Sequence, residues 1–143
     1  MKIVLAQQNY IIADFKGNTE KIIESIKNAK QKKADLIVFP EMSVCGHYPY
    51  ELLNNKTFLN NSQKALQEII PHCVDIAVVI GNIVQKNQKL YNSALFIENG
   101  QISHQINKRN LINNDLLDES RYFCNDENEF ETIEYLNKRI AIT

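Results

Sequence analysis

Two short apolar runs, Lys2 to Gln7 and Ala34 to Phe39, flank a segment whose apolar residues recur with helical spacing, and this order constrains the fold more than any other feature. Each run is rich in Ile, Val and Leu and reads as a strand buried on both faces. Between them Ile22, Ile23, Ile26 and Ala29 form one face of a helix, while Lys21, Glu24, Lys27 and Lys30 take the solvent side. Asn18 is the expected N-cap. Pro40 ends the second strand because it cannot donate a ladder hydrogen bond. A strand, helix, strand unit of this length predicts two parallel strands with a right-handed crossover.

Downstream, Ala65, Leu66, Ile69 and Ile70 predict a second helix from about Ser62 to Ile70, stopped at Pro71, and Asp75 to Ile80 predicts another buried strand. Leu90 to Ile97 and Ile102 to Gln105 predict a hairpin about the Asn99-Gly100 turn. Ile106 to Asn128 is mostly polar and is expected to be a long ordered loop with a helical turn. Phe130 to Tyr135 and Arg139 to Thr143, around Asn137-Lys138, are the last expected strands. No repeat, low-complexity tract or linker divides the chain, so residues 1–143 are expected to form one α/β domain or part of a larger one. A last strand stopping at Thr143 is expected to leave a sheet edge that associates with a complementary segment.

Sixteen Lys and Arg against 17 Asp and Glu give a formal charge of -1, which offers no net field toward nucleic acid or an anionic membrane. A small polar ligand or a protein partner is the expectation. The apolar start is too short for a signal core or a membrane span, so a cytoplasmic protein is expected. Cys45, Cys73 and Cys124 are odd in number and scattered, as reduced thiols would be. These thiols and His47, His72 and His104 show no metal-ligand spacing, and the glycines at 17, 46, 81 and 100 form no phosphate loop, so neither metal nor cofactor is expected in this chain.

Glu41 follows the second strand, and open α/β sheets collect their ligand groups at the carboxyl ends of strands. A partly desolvated carboxylate there would have its pKa raised and could act as a general base. Lys108 lies in a polar loop beyond the hairpin, where its ammonium could stabilise an oxyanion. Glu119 could position Lys108 or a substrate. Each also has a plain reading: a loop salt bridge for Glu41, a solvated pair with Arg109 for Lys108, and a helix-start acid for Glu119. Cys45 with His47 offers the sequence of a Cys-His pair, but a free Cys is far more often a small buried hydrophobe, and that is the reading taken for Cys45.

Several segments in order resemble the nitrilase superfamily: Lys2 to Gln7, Asp14 to Asn18, Ala34 to Glu41, Leu90-Tyr91-Asn92-Ser93-Ala94, Lys108 and Asp118 to Phe123. Glu51-Leu52-Leu53 and the last segment resemble more narrowly the glutaminase domain of glutamine-dependent NAD synthetases. The resemblance implies an αββα sandwich with a Glu-Lys-Cys triad. Glu41 matches its general base, Lys108 the residue that stabilises the tetrahedral intermediate, Glu119 an auxiliary carboxylate and Tyr48 a substrate-binding residue. The loop after Gly46 reads His47-Tyr48-Pro49-Tyr50 where the family commonly has a Tyr followed by Pro, and Asn114 stands where a substrate-facing Tyr is usual. The implied reaction is attack of a Cys thiolate on the glutamine amide, with ammonia passed to a synthetase domain that uses ATP and magnesium. No Cys here matches the nucleophile, which the resemblance puts a few residues past Thr143, so the chain alone is expected to be inactive. A homo-oligomer is also expected. Hydrolysis of another small amide or nitrile, and a non-catalytic interaction module completed by a second fragment, remain the alternatives.

Overall fold

The structure is a computed structural model that describes residues 1–114, 118–125 and 132–142. The predicted unit at the start is present: β1 (Ile3–Leu5), α1 (Phe15–Gln31) and β2 (Leu36–Val38), with β1 and β2 parallel and Ile3 opposite Leu36. Contrary to expectation β1 is not buried on both faces: it is the edge strand of its sheet, and Ile3 and Leu5 are exposed. The helix begins earlier than expected, because the Asp14 carboxylate accepts from the Gly17 N–H and is the N-cap. Asn18 lies inside the first turn and is buried. Its side chain accepts from the Ile11 N–H and donates to the Ile11 and Val44 carbonyls, so it ties two loops together instead of capping.

Helix α2 (Lys56–Ile69) also starts before the expected Ser62, capped by Asn55, whose side chain accepts from Thr57 and Phe58. The core face of its first turns carries Phe58 and the polar Ser62, which donates to Asn82 at 2.7 Å. A hydroxyl at a core position hid the helical period.

Strand β3 (Ala77–Lys86) is parallel to β2, then turns through Asn87-Gln88 into the antiparallel β4 (Lys89–Glu98), and β5 (Gln101–Asn107) completes a five-stranded sheet in the order β1-β2-β3-β4-β5. The strand predicted at Asp75 to Ile80 therefore starts later and runs six residues further; Asp75 itself is in a turn conformation with φ 62°. The hairpin turn at Asn99-Gly100 is as predicted, with both residues at positive φ. Across β4 and β5 the register shifts between Phe96 and Ile97, where His104 and then Ile102 are the partners.

Alternation along the central strands sorts the core onto two faces. Ile37, Val78, Ile80, Leu95 and Ile97 point to α1 and α2 and meet Ile22, Ile26, Leu66 and Ile69. Leu36, Ala77, Val79 and Phe96 point the other way, onto a hairpin formed by β6 (Thr132–Tyr135) and β7 (Lys138–Ala141) through Ile133, Tyr135 and Ile140. Each fully buried Ile or Leu in these layers is worth about 1.5–3 kcal/mol of transfer free energy. The described residues thus make a helix layer, a sheet and the hairpin of a second sheet. The last turn is at Leu136-Asn137, one residue before its expected place. The loop from Ile106 holds a 3-10 turn, Glu119–Arg121; the expected strand start at Phe130 and end at Thr143 lie outside the described residues.

Candidate active site

Glu41 follows β2 at the start of a tight turn in which the Gly46 N–H returns to the Met42 carbonyl. The turn crosses β3 at Gly81, so closely that a Cβ on Gly81 would lie 2.6 Å from both Glu41 Cα and Met42 N. A glycine is required there, and it sets the height of Glu41 above the sheet. Lys108 follows β5, and its backbone N–H is anchored at 2.8 Å on the Asn92 carbonyl of β4. Glu119 arrives on the 3-10 turn, whose cap Asp118 accepts from the Arg121 N–H.

These three elements converge. The Lys108 ammonium donates to Glu41 Oε1 and to Glu119 Oε1, each at 3.0 Å. Glu119 is 1% exposed, and its second oxygen accepts from the Ile112 N–H at 2.6 Å. Asn92 donates from Nδ2 to Glu41 Oε1. On the other carboxylate oxygen, His47 Nε2 stands 4.0 Å away.

The electrostatics follow from these contacts. Burial pushes the Glu41 carboxyl up, but hydrogen bonds from Lys108 and Asn92 and the charges of Lys108 and His47 together outweigh it, and the group sits below its ordinary value. This corrects the expectation of a raised value, which counted desolvation alone. Burial works to lower Lys108, yet the hydrogen bonds and charges of Glu119 and Glu41 hold its ammonium above the usual lysine value. Near neutral pH the pair is therefore a carboxylate base beside a permanent cation.

Beside them opens a cavity of about 490 Å³, within the usual range for small-ligand sites, bordered by Glu41, Gly81, Asn92, Lys108, Arg109 and Ile142. Ile142, just past β7, brings the second sheet to the same cavity. Tyr48 is not on its wall. That ring is buried in an aromatic cluster, 4.7 Å edge-on to Tyr50 and 6.3 Å from both Tyr122 and Phe123, and its hydroxyl has no hydrogen-bond partner among the described residues. Cys45 and Cys73 are buried thiols pushed up to about 12, and none of the three cysteines borders the cavity. Cys45 is a core residue, not half of a pair with His47.

Sequence reasoning missed Asn92 and Gly81 as parts of the site. The available signals were a polar residue inside an otherwise apolar strand and a glycine in the middle of another.

The comparisons bear on the family and the fold. The carbon–nitrogen hydrolase family profile matches residues 2–137. The glutamine-dependent NAD(+) synthetase of Thermotoga maritima is 32% identical over 144 residues, covering 100% of this chain and 25% of that protein. The Synechocystis synthetase is 36% identical over 151 residues, covering 99% and 26%. Among solved structures, the glutamine-dependent NAD+ synthetase of Acinetobacter baumannii superposes with a TM-score of 0.89 at 36% identity, over 96% of this chain and 26% of that one. An amidase from Nesterenkonia sp. shares the fold at a TM-score of 0.83 and 18% identity, over 99% of this chain and 54% of that one. The chain spans about a quarter of the length of the synthetases it matches. No helix among the described residues is long and apolar enough to cross a membrane. With the expected resemblance borne out in both sequence and fold, the chain belongs to the carbon–nitrogen hydrolase family.

Proposed function

We propose that residues 1–143 are the glutaminase part of a glutamine-dependent NAD synthetase, hydrolysing the side-chain amide of glutamine to supply ammonia. The observation that carries this reading is Lys108 held between Glu41 and Glu119 at 3.0 Å from each, on the rim of a ligand-sized cavity. The nucleophile is a cysteine outside residues 1–143, since Cys45 and Cys73 are buried with thiols pushed up to about 12 and Cys124 does not border the cavity. Residues 1–143 by themselves are accordingly without glutaminase activity. Ile142 at the cavity supports a chain path that delivers the nucleophile from the end of β7.

In this mechanism Glu41 takes the thiol proton and the thiolate attacks the amide carbon. The oxyanion forms near the Lys108 ammonium, worth on the order of 10²–10³ in rate for one such donor. Glu41 returns the proton to the leaving nitrogen, ammonia departs, and water hydrolyses the thioester with Glu41 again as base. Glu119 keeps Lys108 charged and aimed. ATP and magnesium belong to a synthetase domain outside this chain, which consumes the ammonia.

The test is ammonia release from glutamine by the full-length protein, beside a panel of small amides and nitriles. Glu41→Gln and Lys108→Ala are each expected to lower glutamine turnover by about 10²–10⁴ in a protein that still folds, with a lower melting temperature in Lys108→Ala because the buried Glu119 loses its partner. Near-normal activity in either variant would sink the reading, as would faster turnover of a simple amide than of glutamine.

A further inference from the structure

Asn92 bonds the side chain of one catalytic residue of the proposed site and the backbone of the other, through two different groups. Its Nδ2 donates to Glu41 Oε1, and its own carbonyl accepts the backbone N–H of Lys108 at 2.8 Å. Glu41 Oε1 also receives the Lys108 ammonium at 3.0 Å, so two donors occupy that one oxygen. No hydrogen bond reaches Oε2 among the described residues, where His47 Nε2 stands 4.0 Å away. The two carboxylate oxygens are therefore inequivalent.

The placement of Asn92 is rigid. It is 4% exposed, lies opposite Ile83 in the β3–β4 ladder, and is followed by Ser93, which donates to Asn107 Oδ1 at 2.6 Å one residue before Lys108. An amide suits this role, since it donates without carrying a charge that would compete with Lys108.

We propose that Asn92 is a positioning residue that selects the basic oxygen of Glu41: by saturating Oε1 together with Lys108, it leaves Oε2 to accept the nucleophile's proton. The inference rests on the proposed amide hydrolysis. In the step concerned, the S–H bond of the incoming thiol breaks, an O–H bond forms at Oε2, and the electron pair stays on sulfur for attack. The same proton later leaves Oε2 for the amide nitrogen as the C–N bond breaks. With Asn92 removed, the carboxylate can turn about its Cγ–Cδ bond, and the oxygen facing the thiol is no longer fixed.

The experiment uses the full-length protein and three variants, Asn92→Ala, Asn92→Asp and Glu41→Gln. Asn92→Asp keeps the shape of the side chain but loses the donor and sets a like charge against Glu41. Turnover of glutamine is expected to fall about 10–100-fold in Asn92→Ala and further in Asn92→Asp, with KM within about threefold. The acidic limb of the pH profile is expected to move upward in both, because a donor to the ionised form is lost. A ¹³C carboxyl titration of Glu41 is expected to move in the same direction, which a merely structural role would not produce in a variant of unchanged melting temperature. Turnover within twofold of wild type in Asn92→Ala, with the Glu41 titration unmoved, would overturn the proposal. Should Asn92→Ala fail to fold, Asn92→Ser decides by the same titration. Failure of the functional reading shows separately, as a wild-type protein that releases no ammonia from glutamine or a Glu41→Gln variant as active as wild type. In that case the Glu41 titration still decides for or against Asn92.

Discussion

Adding one methyl group at Gly81 is expected to disable the site without touching any of its charged side chains. A Cβ there would lie 2.6 Å from Glu41 Cα and from Met42 N, and 2.7 Å from the Pro40 carbonyl oxygen, all backbone atoms that cannot rotate away. Ordinary contact begins at 3.4 Å, so the turn must retreat by about 0.8 Å. If Glu41 moves with it, the 3.0 Å contact to Lys108 opens beyond the 3.5 Å limit of a hydrogen bond. Overpacking of this kind costs about 1–3 kcal/mol of stability, while a displacement near 1 Å at a reacting group can cost about 10²-fold in rate. Gly81→Ala in the full-length protein is therefore expected to keep its fold, to lose about 5–15 °C in melting temperature at most, and to lose about two orders of magnitude in glutamine turnover. Full activity in a folded Gly81→Ala protein would refute the claim that the height of this turn sets the position of Glu41.

Other outcomes follow from the same geometry. Glu119→Gln puts an amide N–H against either Lys108 or the Ile112 N–H and is expected to cost about 2–3 kcal/mol in urea unfolding, with an unchanged m-value; a loss under 0.5 kcal/mol would contradict its buried pairing. Glu41, lowered on folding, contributes stability that is complete above its unfolded value of about 4.3 and lost as pH falls through the folded value. Lys108, raised on folding, contributes stability that is complete below about 10.4 and lost as pH rises through its folded value. The melting-temperature advantage of wild type over Lys108→Ala should hence be greatest between about pH 5 and 10 and shrink on both sides, and an advantage that grew toward either extreme would be inconsistent. Cys45 and Cys73, buried with thiols pushed up to about 12, are expected to resist an aromatic disulfide reagent in the native protein while the more exposed Cys124 reacts; rapid reaction of all three would show that the core opens.

Sequence pattern served best where one physical constraint acted alone. The β1-α1-β2 unit was readable because β2 carries an unbroken apolar run and α1 shows one clean stripe; the apolar run of β1 misled on burial, because it lies at the sheet edge with Ile3 and Leu5 exposed. The β3–β4 hairpin was not readable, because its turn uses Asn87-Gln88, both at positive φ, without the glycine that usually marks such a turn. Ser62 obscured the first turns of α2 for a related reason: a hydroxyl satisfied by a buried partner looks like a surface residue in a linear string. Within the site, Glu41, Lys108 and Glu119 were legible through family resemblance, since each alone has a plain surface reading. The direction of the Glu41 shift was not legible, because desolvation follows from a place in the fold whereas the opposing donors come from residues 51 and 67 positions away. Tyr48 illustrates a further limit: resemblance names the residue, but only packing shows that its ring belongs to an aromatic core beside the cavity.

The register shift in the β4–β5 ladder carries a consequence for which insertions and deletions this fold can absorb. Ser103 is the residue that the shift leaves over, between Ile102 opposite Ile97 and His104 opposite Phe96. Deleting it would leave an even ladder from the Asn99-Gly100 turn onward, with His104 still opposite Phe96 and every following residue in its present station, so that deletion is absorbed at the bulge. Straightening the bulge with Ser103 kept opposite Phe96 would instead slip every following residue by one and exchange faces. Asn107 would then occupy the station of Lys108, a neutral amide where an ammonium now fits between two carboxylates. A single residue left over in the ladder is thus what keeps the strand in phase with the site.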